Sequence, residues 1–158
     1  RKIARARHPL GSPHETPAVR AYIAQSYPAA KLPPLDDPFA LAELQAFTSY
    51  LCSTLHVAHA HRMRGYRWAD DAAAIAAMQR KVPDAVGACY DLIEQHMFRG
   101  PWVMGEGYSI ADPYLFTIAQ WLESDGVDPA RIPGIADHRR RMLERPAVRK
   151  AIAAEFAD

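Results

Sequence analysis

The sequence lacks the features typical of secreted, membrane-spanning and strongly charged proteins. Only two of its 158 residues are cysteines, Cys52 and Cys89. Two such distant thiols do not make a disulfide framework, so a cytoplasmic protein is expected. No apolar run approaches the roughly 20 residues that a membrane-spanning helix needs. The formal net charge is only +1, so neither nucleic acid nor a membrane surface is expected as a partner.

Sustained alternation of β-branched residues, which is typical of strands, is also missing, whereas helix-start signals recur along the chain. Thr16 precedes Pro17 and Asp37 precedes Pro38, which places a capping residue before a proline at the first helical position in both cases. Four prolines fall within the segment PAAKLPPLDDP, the best linker candidate. These patterns predict an all-α bundle in which long antiparallel helices come first and shorter ones follow.

The same signals set the expected boundaries. Gly65 should end the second helix as its C′ residue, and Pro83 should kink the third, which begins at Asp70 or Asp71. The proline-rich linker (29–37) would separate an N-terminal segment (1–28) from an all-helical domain (38–158). The expected helices cover residues 16–27, 39–64, 71–98, 109–122, 133–143 and 146–156.

The segment GYSIADPYLF, residues 107–116, begins a strongly apolar stretch. In a capping box, Ser109 would accept a hydrogen bond from the backbone three residues on, and Asp112 would reach back to the backbone N–H of Ser109. Asp112 also places a negative charge at the positive end of the helix dipole. Because the following residues are apolar on nearly every side, this helix should run through the middle of the bundle. Ser109 and Asp112 are therefore assigned a structural role.

Four segments together resemble the cytosolic glutathione transferases, and the bacterial beta class in particular. HETPAVRAYIAQSYP is similar to the end of their thioredoxin-like domain, and STLHVAHAHRMR to a helix of the beta-class enzymes. GYSIADPYLFTIAQWL is similar to the capping box of their central helix, and IADHRRRMLERPAVRKAIAAE to their C-terminal stretch. The resemblance covers about residues 14–156 and concerns mainly the helical C-terminal domain.

The resemblance implies a protein with two parts, of which this sequence holds mainly the second. In the family, a thioredoxin-like domain of about eighty residues precedes the helical part. That domain supplies the Tyr, Ser or Cys that interacts with the glutathione thiol. Only fourteen residues precede Glu15 here. Residues 1–28 are therefore interpreted as a remnant of that domain. The chain would be a truncated protein, a sequence with a missing stretch closed up, or a short homologue.

The resemblance also implies where glutathione binds. Glu15 and Thr16 match an acidic–small pair whose backbone and side chains bind the γ-glutamyl amino and carboxylate groups in the family. A helix N-terminus offers free N–H groups and a positive dipole to a carboxylate, and Glu15 can pair with an ammonium group. The structural alternative is that Thr16 is only a cap and Glu15 only a charge in the first turn.

His56 matches a histidine that lies near the bound thiol in beta-class relatives. A neutral imidazole there could accept the thiol proton or stabilise the thiolate. The alternative is a histidine whose hydrogen bonds are satisfied within the bundle. Ser49, two helical turns earlier, matches a polar position that can reach glutathione across the dimer.

No metal site is expected. His56 and His59 share a helix face, whereas His61 lies about 200° from His59 around the helix. No acidic residue or cysteine completes a set of ligands at usable spacing. Several residues after this helix could line the mouth of a site for an electrophile or form a solvated helix end: Arg62, Arg64, Tyr66, Arg67 and Trp68.

The implied reaction is the attack of the glutathione thiolate on an apolar electrophile, with glutathione as co-substrate and a homodimer as the assembly. The alternative function is a non-catalytic helical module that binds other proteins. The electrophile cannot be named from the sequence, because the wall of a substrate site varies widely within one fold.

Overall fold

A computed structural model of the chain describes residues 11–155, and every regular element within that range is helical. This confirms the predicted all-α fold for the described part of the chain. No helix there is both long and apolar enough to cross a bilayer. Residues 1–10 and the predicted helix end at Phe156 lie outside the described range. The α-helices are α1 (Thr16–Ser26), α2 (Pro38–Tyr50), α3 (His56–Arg64), α4 (Ala72–Leu92), α5 (Ala111–Ala119), α6 (Pro133–Glu144) and α7 (Pro146–Glu155).

The long helix predicted over residues 39–64 is two helices joined by a π-helical turn. Asp37 caps α2 as predicted, because its Oδ1 accepts hydrogen bonds from the N–H groups of Phe39 at 2.9 Å and Ala40 at 3.0 Å. The π turn at Leu51–Leu55 separates α2 from α3. Such a turn accommodates an extra residue, so it rotates the helix that follows by roughly the 100° of one residue.

Helix α3 ends at Arg64 with Gly65 as its C-cap, so the predicted end of this segment is confirmed. Gly65 has φ −51°, so it needs no left-handed conformation and begins the 3-10 turn Gly65–Arg67. A Cβ at Gly65 would lie 3.0 Å from the side chain of Ile75, so close packing of α3 on α4 accounts for the glycine. One detail of the prediction is wrong, the burial of Phe39. Phe39, which the periodicity places on the apolar stripe, is 74% exposed.

Helix α4 supplies the longest face of the core. Asp71 caps it as predicted, since its Oδ1 accepts a hydrogen bond from the N–H of Ala74 at 2.7 Å. Pro83 lies inside α4, which continues as one helix to Leu92. Both cysteines are free thiols, in line with the absence of a disulfide framework. The buried stripe contains residues that the periodicity predicts: Val82, Val86, Cys89, Tyr90 and Ile93.

Helix α5 packs against α2 and α6 and buries Leu115 and Ile118 almost completely. It begins at Ala111, two residues later than predicted. The predicted capping box is present in altered form. The N–H of Ser109 donates to Asp112 Oδ2 at 2.6 Å as predicted, but Ser109 Oγ accepts from the N–H of Ala111 at 3.2 Å. The N–H of Asp112 donates instead to the Ser109 carbonyl at 3.2 Å.

The Asp112 carboxylate has more partners than a capping box requires, and it is fully buried. Its Oδ1 accepts a hydrogen bond from the N–H of Val103 at 2.8 Å and lies 3.1 Å from Nε2 of the buried His138. Its Oδ2 accepts from the N–H of Ser109 and, at 3.1 Å, from the Ser109 hydroxyl. One side chain thus joins the loop before α5, the start of α5 and helix α6.

Replacing Asp112 with alanine should strongly destabilise the fold, because four buried donors lose their acceptor. An unpaired buried polar group costs about 1–3 kcal/mol, and several are left unpaired here. We expect a loss of about 3–5 kcal/mol in the free energy of unfolding, measured by urea denaturation. Asp84→Ala is the matched control, because Asp84 is 71% exposed and pairs with the exposed Lys81. It should change stability by less than about 0.5 kcal/mol, and equal losses in both variants would contradict the prediction.

Candidate functional site

Helix α1 begins in an unusual way. The residue before it, Glu15, has φ 70° and ψ 128°, and its side chain makes no capping hydrogen bond. A positive φ is uncommon for a residue other than glycine, costs about 1–3 kcal/mol, and concentrates at functional sites. The prediction that Thr16 is the N-cap is wrong, because Thr16 is the first helical residue and Pro17 the second.

Among residues 11–155, no side chain caps the N-terminus of α1. The Glu15 carbonyl accepts the first helical hydrogen bond, from the N–H of Val19 at 3.0 Å. The N–H groups of Thr16 and Ala18 belong to the uncapped end, where the helix dipole is positive. The Glu15 side chain is 64% exposed and lies 3.5 Å from His14. The helix end can therefore bind a carboxylate, and Glu15 can pair with an ammonium group.

A groove of about 270 Å³ lies between α1 and α2 beside this helix end. Pro17 and Ala18 line it from the first turn of α1, and Thr48 and Ser49 line it from α2. Ser49 is exposed, so its hydroxyl is accessible to a molecule in the groove. The structure thus brings the predicted Ser49 beside the first turn of α1.

Arg20 of α1 and Tyr114 of α5, neither of which was predicted from the sequence, connect these two helices. The guanidinium carbon of Arg20 lies 5.1 Å from the ring centroid of Tyr114, and Arg20 Nη2 donates to the Pro113 carbonyl at 3.3 Å. Burial lowers the pKa of Arg20 and raises the pKa of Tyr114, which the neighbouring Cys52 thiol raises further. The cation–π contact holds α1 against α5.

His56 lies beyond the π turn, half-buried at the start of α3. Its ring centroid is 5.6 Å from that of Trp121 and 6.2 Å from that of His59. Burial, followed by the nearby charges of His59 and two arginines, lowers the pKa of His56. A neutral imidazole is a proton acceptor at pH 7. No hydrogen bond joins this ring to a residue in the range 11–155, so a ligand can approach it.

His59 is held on two sides. Its Nδ1 lies 2.7 Å and 2.9 Å from the two carboxylate oxygens of Asp125. Its ring stacks on Trp121 with centroids 4.2 Å apart and planes 17° apart. Asp125 is only 4% exposed, and Nη1 of Arg62 lies 3.8 Å from its Oδ1. Asp125 could not be predicted from the sequence, because 66 positions separate it from His59 and no local pattern connects the two.

The predicted site residues therefore fall in two neighbouring places. Ser49 lines the same groove as Pro17 and Ala18, which directly follow Glu15 and Thr16 in the chain. His56 comes seven residues after Ser49, and the π turn between them places it on a different side of the helix than ordinary α-helical spacing predicts. The two positions are about 10 Å apart along the helix axis, which is close to the span of an extended tripeptide.

The third histidine of this region, His61, stands apart from the other two. Its ring centroid is 4.4 Å from that of Trp68, which is itself 47% exposed. Tyr66 is 65% exposed. In the described range, no three His, Cys, Asp or Glu side chains are grouped so that they could hold a metal ion. Arg62 was expected at the mouth of a site, and its guanidinium lies 3.8 Å from the Asp125 carboxylate that contacts His59.

Comparison with known proteins places the chain in a family. Residues 39–146 match the model of the glutathione S-transferase C-terminal domain. The chain belongs to the glutathione S-transferase family. The matched range runs from the first turn of α2 to the start of α7, so it includes the π turn, His56 and the buried cap of α5.

Solved glutathione transferases share this fold. A glutathione transferase homologue from Sulfitobacter, solved with bound glutathione, is 42% identical with a TM-score of 0.89, and the alignment covers 92% of this chain and 70% of that one. The beta-class enzyme of Sphingomonas chungbukensis is 27% identical with a TM-score of 0.76, covering 98% and 74%. Glutathione S-transferase GstA of Escherichia coli O157:H7 is 39% identical over 54 residues, which make up 34% of this chain but only 27% of that protein. These matches confirm the family that the four sequence segments indicate.

In this transferase chain, the lowered pKa of His56 should make the fold less stable in mild acid. As the pH falls, the unfolded chain protonates His56 near its ordinary pKa of about 6.5, while the folded chain resists protonation until lower pH. The stabilisation is therefore complete above about pH 6.5 and declines below it. His56→Gln should lose less stability than the parent between pH 7 and pH 5, measured by urea denaturation. Ser53→Ala, an exposed neighbour, should follow the parent. Identical pH dependence of His56→Gln and the parent would overturn this expectation.

Proposed function

We propose that this chain is the helical part of a glutathione transferase that conjugates the glutathione thiolate to an apolar electrophile. The observation that carries the proposal is the strained, uncapped start of α1 beside the groove that Ser49 lines. A helix of this chain can form with a capped start, because the side chains of Asp37 and Asp71 cap two other helices. A ligand that binds this end accounts for the open N–H groups.

Glutathione has the groups that fit this end of α1. Its γ-glutamyl carboxylate would accept hydrogen bonds from the N–H and hydroxyl of Thr16, and its ammonium group would pair with the exposed carboxylate of Glu15. Ser49, across the groove, would bind a further polar group of the peptide. An extended tripeptide is about 10 Å long, so glutathione can extend from α1 towards His56.

His56 would be the partner of the thiol. Because its pKa is lowered, the neutral ring can accept the thiol proton or donate a hydrogen bond to the thiolate, which is the nucleophile. Trp121, 5.6 Å from His56, and the apolar residues Met63 and Val82 of a neighbouring cavity would contact the electrophile. Holding both reactants in one place lowers the entropic part of the barrier.

The working assembly that we propose is a cytoplasmic homodimer with glutathione as co-substrate, as is usual in the family. The second candidate function is a non-catalytic module that binds other proteins. It is favoured by exposed aromatic surface, since Tyr27 is 67% and Phe39 is 74% exposed.

Thr16→Val should weaken glutathione binding while preserving the shape of the side chain. One lost hydrogen bond to a charged group costs about 1.5–3 kcal/mol. The KM for glutathione should therefore rise roughly 10- to 100-fold, with little change in kcat. Steady-state kinetics on the full product of the gene measure both constants. Ser26→Ala, at the opposite end of α1, is the matched control and should change neither. A lower kcat with an unchanged KM would argue against Thr16 as a binding residue.

Two assays separate the candidate functions. Retention on glutathione–agarose and conjugation of the glutathione thiol are measured on the 158-residue chain and on the full product of the gene. Retention and turnover by the full product are the expected results. If neither protein binds glutathione or catalyses conjugation, the catalytic proposal fails and the protein-binding function is favoured.

A further inference from the structure

His59 and Asp125 form a hydrogen-bonded pair one helical turn after His56. A carboxylate can only accept hydrogen bonds, so its two short contacts to Nδ1 require the hydrogen of His59 to lie on that nitrogen. In the neutral ring, Nε2 then carries a free lone pair. No hydrogen bond joins Nε2 to a described residue, and the side chain is 19% exposed. The second nitrogen is therefore available to a ligand.

Trp121 and the backbone fix the orientation of this pair. The ring of His59 stacks on Trp121 at 4.2 Å. The N–H of Asp125 donates to the Trp121 carbonyl at 2.8 Å, so the two groups that hold His59 are also joined to each other. A histidine with a buried carboxylate on one nitrogen and a free second nitrogen is the arrangement that proteins use for proton transfer.

A cavity of about 410 Å³ adjoins the pair, and its wall is partly polar. Asp125, Arg62, Gln79 and Ser124 contribute to its lining. The guanidinium of Arg62 lies 3.8 Å from Asp125, and its side chain is 38% exposed. A cation beside the cavity can stabilise negative charge that develops on a substrate oxygen. The cavity can therefore hold an electrophile that has a carbonyl group as well as an apolar part.

We propose that His59 is a catalytic acid–base residue, oriented by Asp125, for the addition of glutathione to α,β-unsaturated carbonyl compounds. This inference rests on the proposed function, because it needs the glutathione thiol close to His56 and therefore to His59, whose ring centroid is 6.2 Å away. The sulfur forms a bond with the β-carbon, the C=C π bond breaks, and its electrons move to the carbonyl oxygen. Nε2 of His59 takes up the proton that the thiol releases and then gives it to the α-carbon as the carbonyl group re-forms, so the addition is balanced without a further reactant.

Displacement of a halide makes no such demand on His59. There the sulfur–carbon bond forms, the carbon–halogen bond breaks, and the halide leaves with the bonding electrons and without a proton. The ratio of the addition rate to the displacement rate therefore isolates proton transfer to carbon from glutathione binding and thiol activation.

The test uses the full product of the gene, with benzylideneacetone for addition and chlorodinitrobenzene for displacement. His59→Gln should lower the ratio of addition to displacement by about 100-fold, within the usual range for general acid–base catalysis. Asp125→Asn keeps an acceptor for Nδ1 but removes the charge, and should lower the ratio by roughly 10-fold. His61→Gln is the matched control, because this histidine lies on the same helix but contacts Trp68. It should leave the ratio unchanged.

The two rates distinguish a failure of the His59 inference from a failure of the proposed function. An unchanged ratio in His59→Gln, or equal loss of both rates, overturns the inference while displacement by the parent still supports the proposed function. A parent protein that catalyses neither reaction overturns both. Urea denaturation shows whether each variant folds. If His59→Gln does not fold, the ratio of addition to displacement in Asp125→Asn is the test. Added imidazole should restore addition selectively in His59→Ala, and a lack of rescue in that folded variant would count against the inference.

Discussion

The carboxylate of Asp112 is the interaction on which the rest of the bundle depends. It binds the loop at Val103, the start of α5 at Ser109 and helix α6 at His138, all without access to water. In a low-dielectric interior such hydrogen bonds are strong, and an unpaired partner is costly. Because the start of α5 is fixed, this short rigid helix also fixes the positions of Trp121 and Asp125 just beyond its other end. Asp112, which has a structural role, therefore determines the position of the residues that contact His56 and His59.

The second constraint is the π turn between α2 and α3. Leu51 and Leu55 at its two ends are fully buried, so the turn cannot unwind without disrupting the core. The extra residue changes the face that α3 presents, so His56 and His59 meet Trp121 while Ser49 remains beside α1. π turns are often found at functional sites for this reason, since they re-aim side chains without ending a helix.

The sequence allowed prediction of the features that depend on neighbours within a few positions. The caps at Asp37 and Asp71 and the return contact of Asp112 each span at most three residues, and all three are present. The left-handed Glu15 was not predictable, because its cause lies outside the local pattern. The pairing of His59 with Asp125 was also missed, since it depends on how α3 meets the end of α5. Glu15, Thr16, Ser49 and His56 were proposed through the family resemblance, and their roles in binding and catalysis stay predictions.

His56 and His59 lie three positions apart and have different surroundings. This difference allows the two side chains to have different roles in the candidate site. Burial and neighbouring positive charge disfavour the charged form of His56, which suits a hydrogen-bond partner for a thiol. His59 instead has a buried carboxylate on one nitrogen, which fixes its tautomer and its orientation. One residue type can then serve in two roles, because the two rings have different partners. Trp121 contacts both rings, so the turn that follows α5 brings the two histidines into one site.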